Sequence, residues 1–293
     1  ATGFIRYRKQ IMIDQPLESK GTRSSSVQSD EEAHIHTLFD LTGRTALVTG
    51  ASGFLGQSLA RALAEAGARV VVSSRKRKKA EEIAALLKGV AQGSHIGIEL
   101  DQMDETSINA GFDELLDRVG SLEILVNNGH SPLGADLTDV TGAEFQQQLG
   151  NATGYFLLAR RIRNWSVSQK KSASIIMLGS MYGVVGSYPE SYEGLVPASP
   201  VAYHTLKGGI VQMTRHLAVY WAKENIRVNC LSPGPFPGAQ ADSEMVERLC
   251  QKSPMGRMGV PEELNGAIVF LASDASSYMT GQNLIIDGGW TAL

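Results

Sequence analysis

Tyr203 and Lys207 stand four residues apart at the head of an apolar, helix-patterned stretch, AYHTLKGGIVQMTRHLAVYWA. On a helix, residues i and i+4 share one face. A lysine ammonium beside a phenol favours the phenolate and draws its pKa below the free value of about 10. A tyrosine so placed can give or take a proton near neutral pH. Of the eight tyrosines, only Tyr203 has a lysine at this spacing. An unrelated surface pair would show the same spacing, so a second group is needed. Ser180 closes the apolar run ASIIMLGS, where a strand-end hydroxyl can bond a substrate carbonyl or the tyrosine oxygen. A serine there also serves as an ordinary turn residue.

Far upstream, Thr49-Gly50-Ala51-Ser52-Gly53-Phe54-Leu55-Gly56 follows one apolar run and opens an amphipathic one. Glycines let the backbone turn tightly and approach a pyrophosphate, while a helix N-terminus offers N–H donors and partial positive charge. A strand–helix turn without a ligand has the same outline. The next apolar run ends Ser73-Ser74-Arg75 and continues Lys76-Arg77-Lys78-Lys79. It lacks the carboxylate that would hold the 2′-hydroxyl of NAD(H). Cations at a helix start oppose its dipole and need a reason. A bound 2′-phosphate is one, with Ser74 and Arg75 selecting NADP(H); a solvated basic face is the other.

These groups need elements to hold them. From residue 41, short runs rich in Val, Ile and Leu alternate with stretches of helical spacing: TALVTG (45–50), ARVVVSS (68–74), HIGIELD (95–101), LEILVNNG (122–129), ASIIMLGS (173–180), IRVNCLSPG (226–234) and NLIIDGG (283–289). Such runs suit strands buried on both faces, and the alternation predicts an α/β fold with a doubly wound parallel β-sheet of about seven strands flanked by helices. Right-handed crossovers bring the carboxyl ends of the strands to one edge, where ligands bind. Most of the chemical residues above follow directly on a strand.

With the motifs assembled, the chain from about residue 38 to its end resembles a short-chain dehydrogenase/reductase of the compact, Rossmann-type class. The resemblance rests on the glycine turn, Asp101 in ELDQMDE, Asn127-Asn128-Gly129, Asn151 in GNATGYF, Ser180, Tyr203-x-x-x-Lys207, Pro233-Gly234 in NCLSPGPFP, and the tail DASSYMTGQNLIIDGGW. The PVAY and LSPGPFP neighbourhoods are similar to gluconate 5-dehydrogenase-like members. The resemblance implies a hydride transfer between NADP(H), with NAD(H) the second candidate, and a secondary alcohol or ketone such as a polyol or sugar acid. It makes Tyr203 the general acid/base, Lys207 the holder of the nicotinamide ribose, and Ser180 the group that orients the substrate oxygen. Asn151 would hold a water linking Lys207 to solvent. Gly50, Ser52, Gly53, Phe54, Leu55, Gly56, Ser74, Arg75, Asp101, Gln102, Asn128, Gly129, Pro233, Gly234 and Phe236 would contact the cofactor, together with Tyr203 and Lys207. Asn127 and Asn151 could also be capping or turn residues, and Asp101 a helix cap. No metal is implied. A homotetramer or homodimer is, through residues 141–165 and the Tyr203 helix.

Three features depart from the family pattern. The glycine turn reads T-G-x-x-G-x-x-G, with Phe54 where the compact class has glycine; this is the spacing of the extended class, which includes epimerases and dehydratases. His130 follows Asn127-Asn128-Gly129, beside the cofactor, where it could titrate near neutrality. The interval between Ser180 and Tyr203 is long, and residues 188–197 read equally as a substrate-facing lid or as a surface loop. A nucleotide-binding sensor without turnover is the remaining alternative, against which the full Ser180, Asn151, Tyr203 and Lys207 set argues.

The bulk numbers are those of a globular protein. The 293 residues are 43% hydrophobic and 19% charged, with a net charge of −3. No global basic field points to nucleic acid, and no apolar run approaches a membrane span. Two cysteines, Cys230 and Cys250, form no disulfide framework and fit a reducing, cytoplasmic setting. Residues 1–37 have a basic patch (Arg6, Arg8, Lys9), a serine run and an acidic cluster without apolar period, and read as a flexible arm. The arm lacks the apolar core of a secretory signal and weakly resembles an organelle transit peptide. The expected organisation is therefore this arm followed by a single domain over 38–293.

Overall fold

The computed structural model describes residues 34–89, 93–134, 137–195 and 199–292. The sequence-expected arm lies outside the described residues up to position 33. The compact unit runs from His34 to Leu293, so it begins before position 38. Residues 35–39 form a short helix, α1 (Ile35–Phe39), whose Phe39 ring packs 6.4 Å from that of Phe270.

All seven apolar runs are strands: β1 (Thr45–Val48), β2 (Arg69–Ser74), β3 (Ile96–Glu99), β4 (Ile124–Asn127), β5 (Ala173–Leu178), β6 (Ile226–Pro233) and β7 (Asn283–Ile286). They form one parallel sheet in the order β3-β2-β1-β4-β5-β6-β7. Between them run α2 (Phe54–Glu65), α3 (Arg77–Leu86), α4 (Glu105–Val119), α5 (Gly142–Ser168), α6 (Val201–Trp221), α7 (Ser243–Lys252) and α8 (Asn265–Ala272). Among the described residues no helix is long and apolar enough to cross a membrane.

The strands read as continuous apolar runs because both faces are covered. Leu47, Leu125, Ile175 and Val228 face a core completed by Phe112 of α4, Leu158 and Ile162 of α5, and Ile210 of α6. Their neighbours Ala46, Val48, Ile124, Val126 and Ile176 face the opposite core, with Leu59 and Leu63 of α2 and Ile268 and Leu271 of α8. Each such side chain contributes about 1.5–3 kcal/mol when fully buried. Local signals set the helix starts: Asp104 caps α4 by accepting from Thr106 N–H, and Thr141 with Glu144 forms a reciprocal capping box at α5.

β1 and β4 lie side by side, and the chain leaves them toward opposite flanks of the sheet. That divergence opens the crevice of a doubly wound sheet. Thr49 ties the two exits together. Its Oγ1 donates to Val126 O (3.3 Å) and accepts from Asn128 N–H (3.0 Å) and Gly129 N–H (2.8 Å). Thr49 is 1% exposed, so Thr49→Val leaves Gly129 N–H without a partner and Asn128 N–H with Val126 O alone. We expect that variant to lose about 1–3 kcal/mol of unfolding free energy in urea titration and Thr49→Ser to lose little.

Candidate active site

A cavity of about 720 Å³ runs along the carboxyl edge of the sheet. Every cofactor-contact residue expected from the sequence, from Gly50 to Phe236, lines it, and so do Ser180, Tyr203 and Lys207. Asn151 does not. The cavity thus joins the exits of β1, β2, β3, β4, β5 and β6, which are far apart in the chain.

At its first end lies the glycine turn. Gly50 has φ +59°, and a Cβ there would meet Gly129 Cα at 2.6 Å. A Cβ on Gly56, in the first turn of α2, would meet Gly50 O at 2.4 Å and Asn128 Nδ2 at 2.6 Å. The shifted glycine spacing therefore keeps the third glycine as the helix–strand contact. Phe54, in the place of the missing glycine, begins α2 with its ring half in solvent. Gly53 is the N-cap and offers no side chain to the helix's first N–H groups, which are left for a ligand. Asn128 braces the turn: its amide donates to Thr49 O (2.9 Å) and Gly50 O (3.1 Å).

The basic run divides. Arg77 turns away and forms a bidentate pair with Glu114 of α4, at 2.6 and 2.7 Å. Arg75, Lys76 and Lys79 line the cavity, and no described residue pairs with them. Ser73 Oγ, buried beside them, has no partner either. Uncapped N–H groups, cations and an orphaned hydroxyl among the described residues suit an anion, as the first of the two sequence readings expects. Asp101 accepts from Met103 N–H (2.9 Å) at the cavity edge, while Gln102 reaches inward and donates to Gly129 O (2.8 Å) and Asn151 Oδ1 (2.9 Å).

The other end carries the proton chemistry. Tyr203 is in the first turn of α6, after Pro200, and Lys207 is one turn on. Ser180 stands beside the Tyr203 hydroxyl, and its Oγ accepts from Tyr182 N–H (3.1 Å). Lys207 is buried, donates to Leu178 O (2.7 Å), and holds its Nζ 5.6 Å from the Tyr203 ring centre.

The sequence expected Lys207 to lower the Tyr203 pKa. In the folded protein without ligand the balance is the reverse. Burial raises the Tyr203 pKa, the neighbouring Ser180 hydroxyl lowers it, and nearby Tyr192 raises it. Burial also draws the Lys207 ammonium down to about 8. His130 differs from expectation too. It borders the open cleft, yet the protein around it, and then Lys207, pull its pKa down to about 4, so it does not titrate near neutrality.

The Asn151 side chain is bound up within the protein. The residue is 1% exposed, and its side chain is fully engaged: Oδ1 accepts from Gln102 Nε2 and Ser131 N–H (2.8 Å), and Nδ2 donates to Ser131 O (3.1 Å) and Gln148 O (2.9 Å). No donor is left for a water. Its side chain fixes the strand-four loop instead of touching Lys207.

Sequence reasoning passed over several neighbours. Tyr182 and Tyr192 share a 2.6 Å hydroxyl–hydroxyl hydrogen bond, and the Tyr182 ring stacks on His204 at 4.5 Å. Gln148 sits 2.6 Å from His130 Nε2. Gln148 precedes Asn151 by three residues, a helical spacing that could have flagged a shared face. The loop over 188–195 packs against α7: Arg248 donates to Glu190 O (3.2 Å) and Glu193 O (2.8 Å), and Tyr188 packs 5.3 Å from Trp290. None of its described residues lines the cavity, and 196–198 lie outside the described residues.

Burying the Lys207 ammonium opposes folding. A folded-state pKa below the unfolded one means that the unfolded chain holds more protons between about 8 and 10.4, so stability rises with pH across that window. Lys207→Met is expected to unfold at a temperature no lower than wild type at pH 7, with its relative advantage shrinking from pH 8 to 10, while turnover is lost. Thermal unfolding at stepped pH checks this.

Comparison with known proteins agrees with the geometry. The family described as enoyl-(acyl carrier protein) reductase matches residues 50–291. Galactitol 2-dehydrogenase of Rhizobium johnstonii is 35% identical over 86% of this chain and 97% of its own length. The rhamnolipid-biosynthesis 3-oxoacyl-[acyl-carrier-protein] reductase of Pseudomonas aeruginosa is 34% identical over 87% and 99%. A gluconate 5-dehydrogenase from Burkholderia cenocepacia, solved with NADP and tartrate, superposes with a TM-score of 0.80 at 31% identity, covering 89% of this chain and 100% of that one. Fold, motif order and these relatives coincide over the whole compact unit, and the chain belongs to the short-chain dehydrogenase/reductase family of NAD(P)-dependent oxidoreductases.

Proposed function

We propose that the protein reversibly transfers hydride between NADP(H) and a secondary alcohol or ketone carrying further hydroxyl groups, a polyol or sugar acid. One observation carries this reading: the Ser180, Tyr203, Lys207 cluster opens into the same cavity as the glycine turn and as Arg75, Lys76 and Lys79, which have no side-chain partner among the described residues. The cofactor, when bound, supplies the hydride and, when oxidised, a positively charged nicotinamide ring. The residues fit it. The glycine turn has no room for a Cβ at Gly50 or Gly56, the first turn of α2 presents free N–H groups, and Arg75 with Ser73 and Ser74 suits a 2′-phosphate.

The protein's own part is positioning and proton transfer. Lys207 keeps one N–H on Leu178 O and has two left for the nicotinamide ribose hydroxyls. Ser180 holds the Tyr203 oxygen and, with it, the substrate oxygen. In ketone reduction Tyr203 donates its proton to that oxygen; in alcohol oxidation it accepts one. Pro233, Gly234 and Phe236 wall the nicotinamide end. Gly234 has no space for a Cβ, which would meet Asp287 Cα at 2.5 Å. His130 gives the reacting end a polar group that favours a hydroxylated substrate.

A 3-oxoacyl thioester is the second reading, favoured by the family description and the Pseudomonas relative. Association through α6 is part of the same proposal, since Val219 (77% exposed) and Tyr220 (69%) leave an apolar patch on that helix. A reducing cytoplasmic setting accords with both cysteines being free.

Side-by-side fluorescence titration with NADPH and NADH tests the cofactor. NADPH is expected to bind more tightly, and Arg75→Ala to erase about 10- to 100-fold of that preference. Preference for NADH would make the basic run a solvated face. NADPH consumption followed at 340 nm with L-sorbose, 5-ketogluconate and acetoacetyl-CoA then ranks the substrate readings, and net turnover excludes an epimerase. Tyr203→Phe should lower kcat by about 10²–10⁴ with NADPH affinity kept. Because burial holds the Tyr203 proton, reduction should be active at neutral pH, and alcohol oxidation should climb as pH rises above it.

A further inference from the structure

We propose that His130 is a specificity-determining residue that hydrogen-bonds a substrate hydroxyl on the carbon next to the reacting one. The inference rests on the oxidoreductase reading above and extends it to a contact that belongs to this chain, since His130 stands where the family pattern has glycine.

The imidazole is held in place. Its Nε2 lies 2.6 Å from Nε2 of Gln148, a residue 1% exposed in the middle of α5. Gln148 is itself tied in, because its backbone carbonyl accepts from Asn151 Nδ2. An amide nitrogen can only donate, so His130 Nε2 accepts and the ring proton sits on Nδ1. Exchange of the amide oxygen and nitrogen would give the buried, unpartnered Gln148 Oε1 a donor and leave Nδ1 as an acceptor. In both arrangements Nδ1 has no partner among the described residues, on a side chain that borders the cavity. A hydroxyl both donates and accepts and satisfies either one.

The position suits that hydroxyl. The His130 ring centre is 5.5 Å from that of Tyr203, beside the oxygen that Tyr203 and Ser180 hold. By ordinary bond lengths, a vicinal hydroxyl oxygen is about 3 Å from the reacting oxygen. A substrate seated on Tyr203 therefore presents its neighbouring hydroxyl toward this wall. The surrounding protein and Lys207 lower the His130 pKa to about 4, which favours the neutral ring. It can then contact a hydroxyl without setting a second positive charge beside Lys207.

The test compares wild type with His130→Ala, His130→Asn and Gln148→Met. L-sorbose serves as the hydroxylated ketone, cyclohexanone as the bare one, and galactitol as a binding probe of the NADPH-loaded enzyme by quenching of cofactor fluorescence. His130→Ala should raise KM for L-sorbose and weaken galactitol binding about three- to tenfold, the effect of one neutral hydrogen bond. Cyclohexanone kcat/KM and NADPH affinity should stay within about twofold. His130→Asn should recover part of the loss, and Gln148→Met should fall between. Equal losses on both ketones, or no loss on L-sorbose, overturn the proposal. Weakened NADPH binding in His130→Ala also overturns it, by assigning the ring to a cofactor ribose hydroxyl. So does a wild type that reduces cyclohexanone yet neither reduces L-sorbose nor binds galactitol. A wild type that reduces no ketone defeats the oxidoreductase reading alone, and the galactitol titration still decides the His130 contact.

Discussion

Two parallel strands that end side by side, with chains leaving in opposite directions, expose backbone groups that the sheet can no longer pair. A buried group left in that condition costs about 1–3 kcal/mol. Here the divergence of β1 and β4 is met by a run of side-chain hydrogen bonds. Thr49 pairs with the exit of β4, Asn128 with the carbonyls of the glycine turn, Gln102 with Gly129 O, and Asn151 with both Gln102 and the Ser131 peptide. The run leads from the end of β1 through the loop after β3 to the middle of α5. It shapes the crevice in the folded chain before any ligand arrives, which is the preorganisation that positional catalysis needs.

Electrostatics at the two ends of the crevice follow from what that scaffold buries. The chain's net charge is −3, yet the cavity wall carries Arg75, Lys76, Lys79 and Lys207. A local cluster inside low-dielectric walls acts on a ligand more strongly than total charge does. Lys207 is the extreme case: buried, with one backbone partner, and drawn down to about 8. Its remaining N–H groups gain their full value only when a bound molecule supplies oxygens. The tyrosine shows the same logic with opposite sign, since burial raises the phenol's pKa. Ligand binding, by adding oxygens around the ammonium and positive charge beside the phenol, is what moves both groups toward reactivity.

Legibility in the sequence tracked how local each feature was. Strand runs such as TALVTG and ASIIMLGS declared themselves because burial on both faces leaves no polar alternation to misread. The glycine turn, Ser180, and Tyr203 with Lys207 were readable because each is a short-range pattern, and one cavity brings them together. What a side chain pairs with was not readable. Arg77 belongs to the same basic run as Arg75, but Glu114, far along the chain, claims it. Asn151 stands where a relay residue is expected, and the three neighbours that bind its side chain were not readable. The expected lowering of the Tyr203 pKa failed because spacing reveals proximity and says nothing of burial. Tyr182 and Tyr192 were invisible for the same reason: their hydroxyl pair joins a strand exit to a loop with no periodic pattern.

That loop also shows why its length by itself decided nothing between lid and surface segment. An insertion free to swing would show exposed side chains and few anchors. Instead Ser191 is buried, Tyr192 bonds Tyr182, Tyr188 packs on Trp290 beneath Lys252, and Arg248 grips two backbone carbonyls while pairing with Glu244. Met181, Leu249 and Trp290 form a small core of their own beneath these contacts. Loop and α7 are therefore one unit, and a movement of α7 that keeps the Arg248 bonds carries the loop with it. Tyr182 lies two residues beyond Ser180, and its N–H donates to the Ser180 hydroxyl. The unit thus ends on the group that orients the reacting oxygen, so its packing bears on the chemistry without any of its described residues lining the cavity.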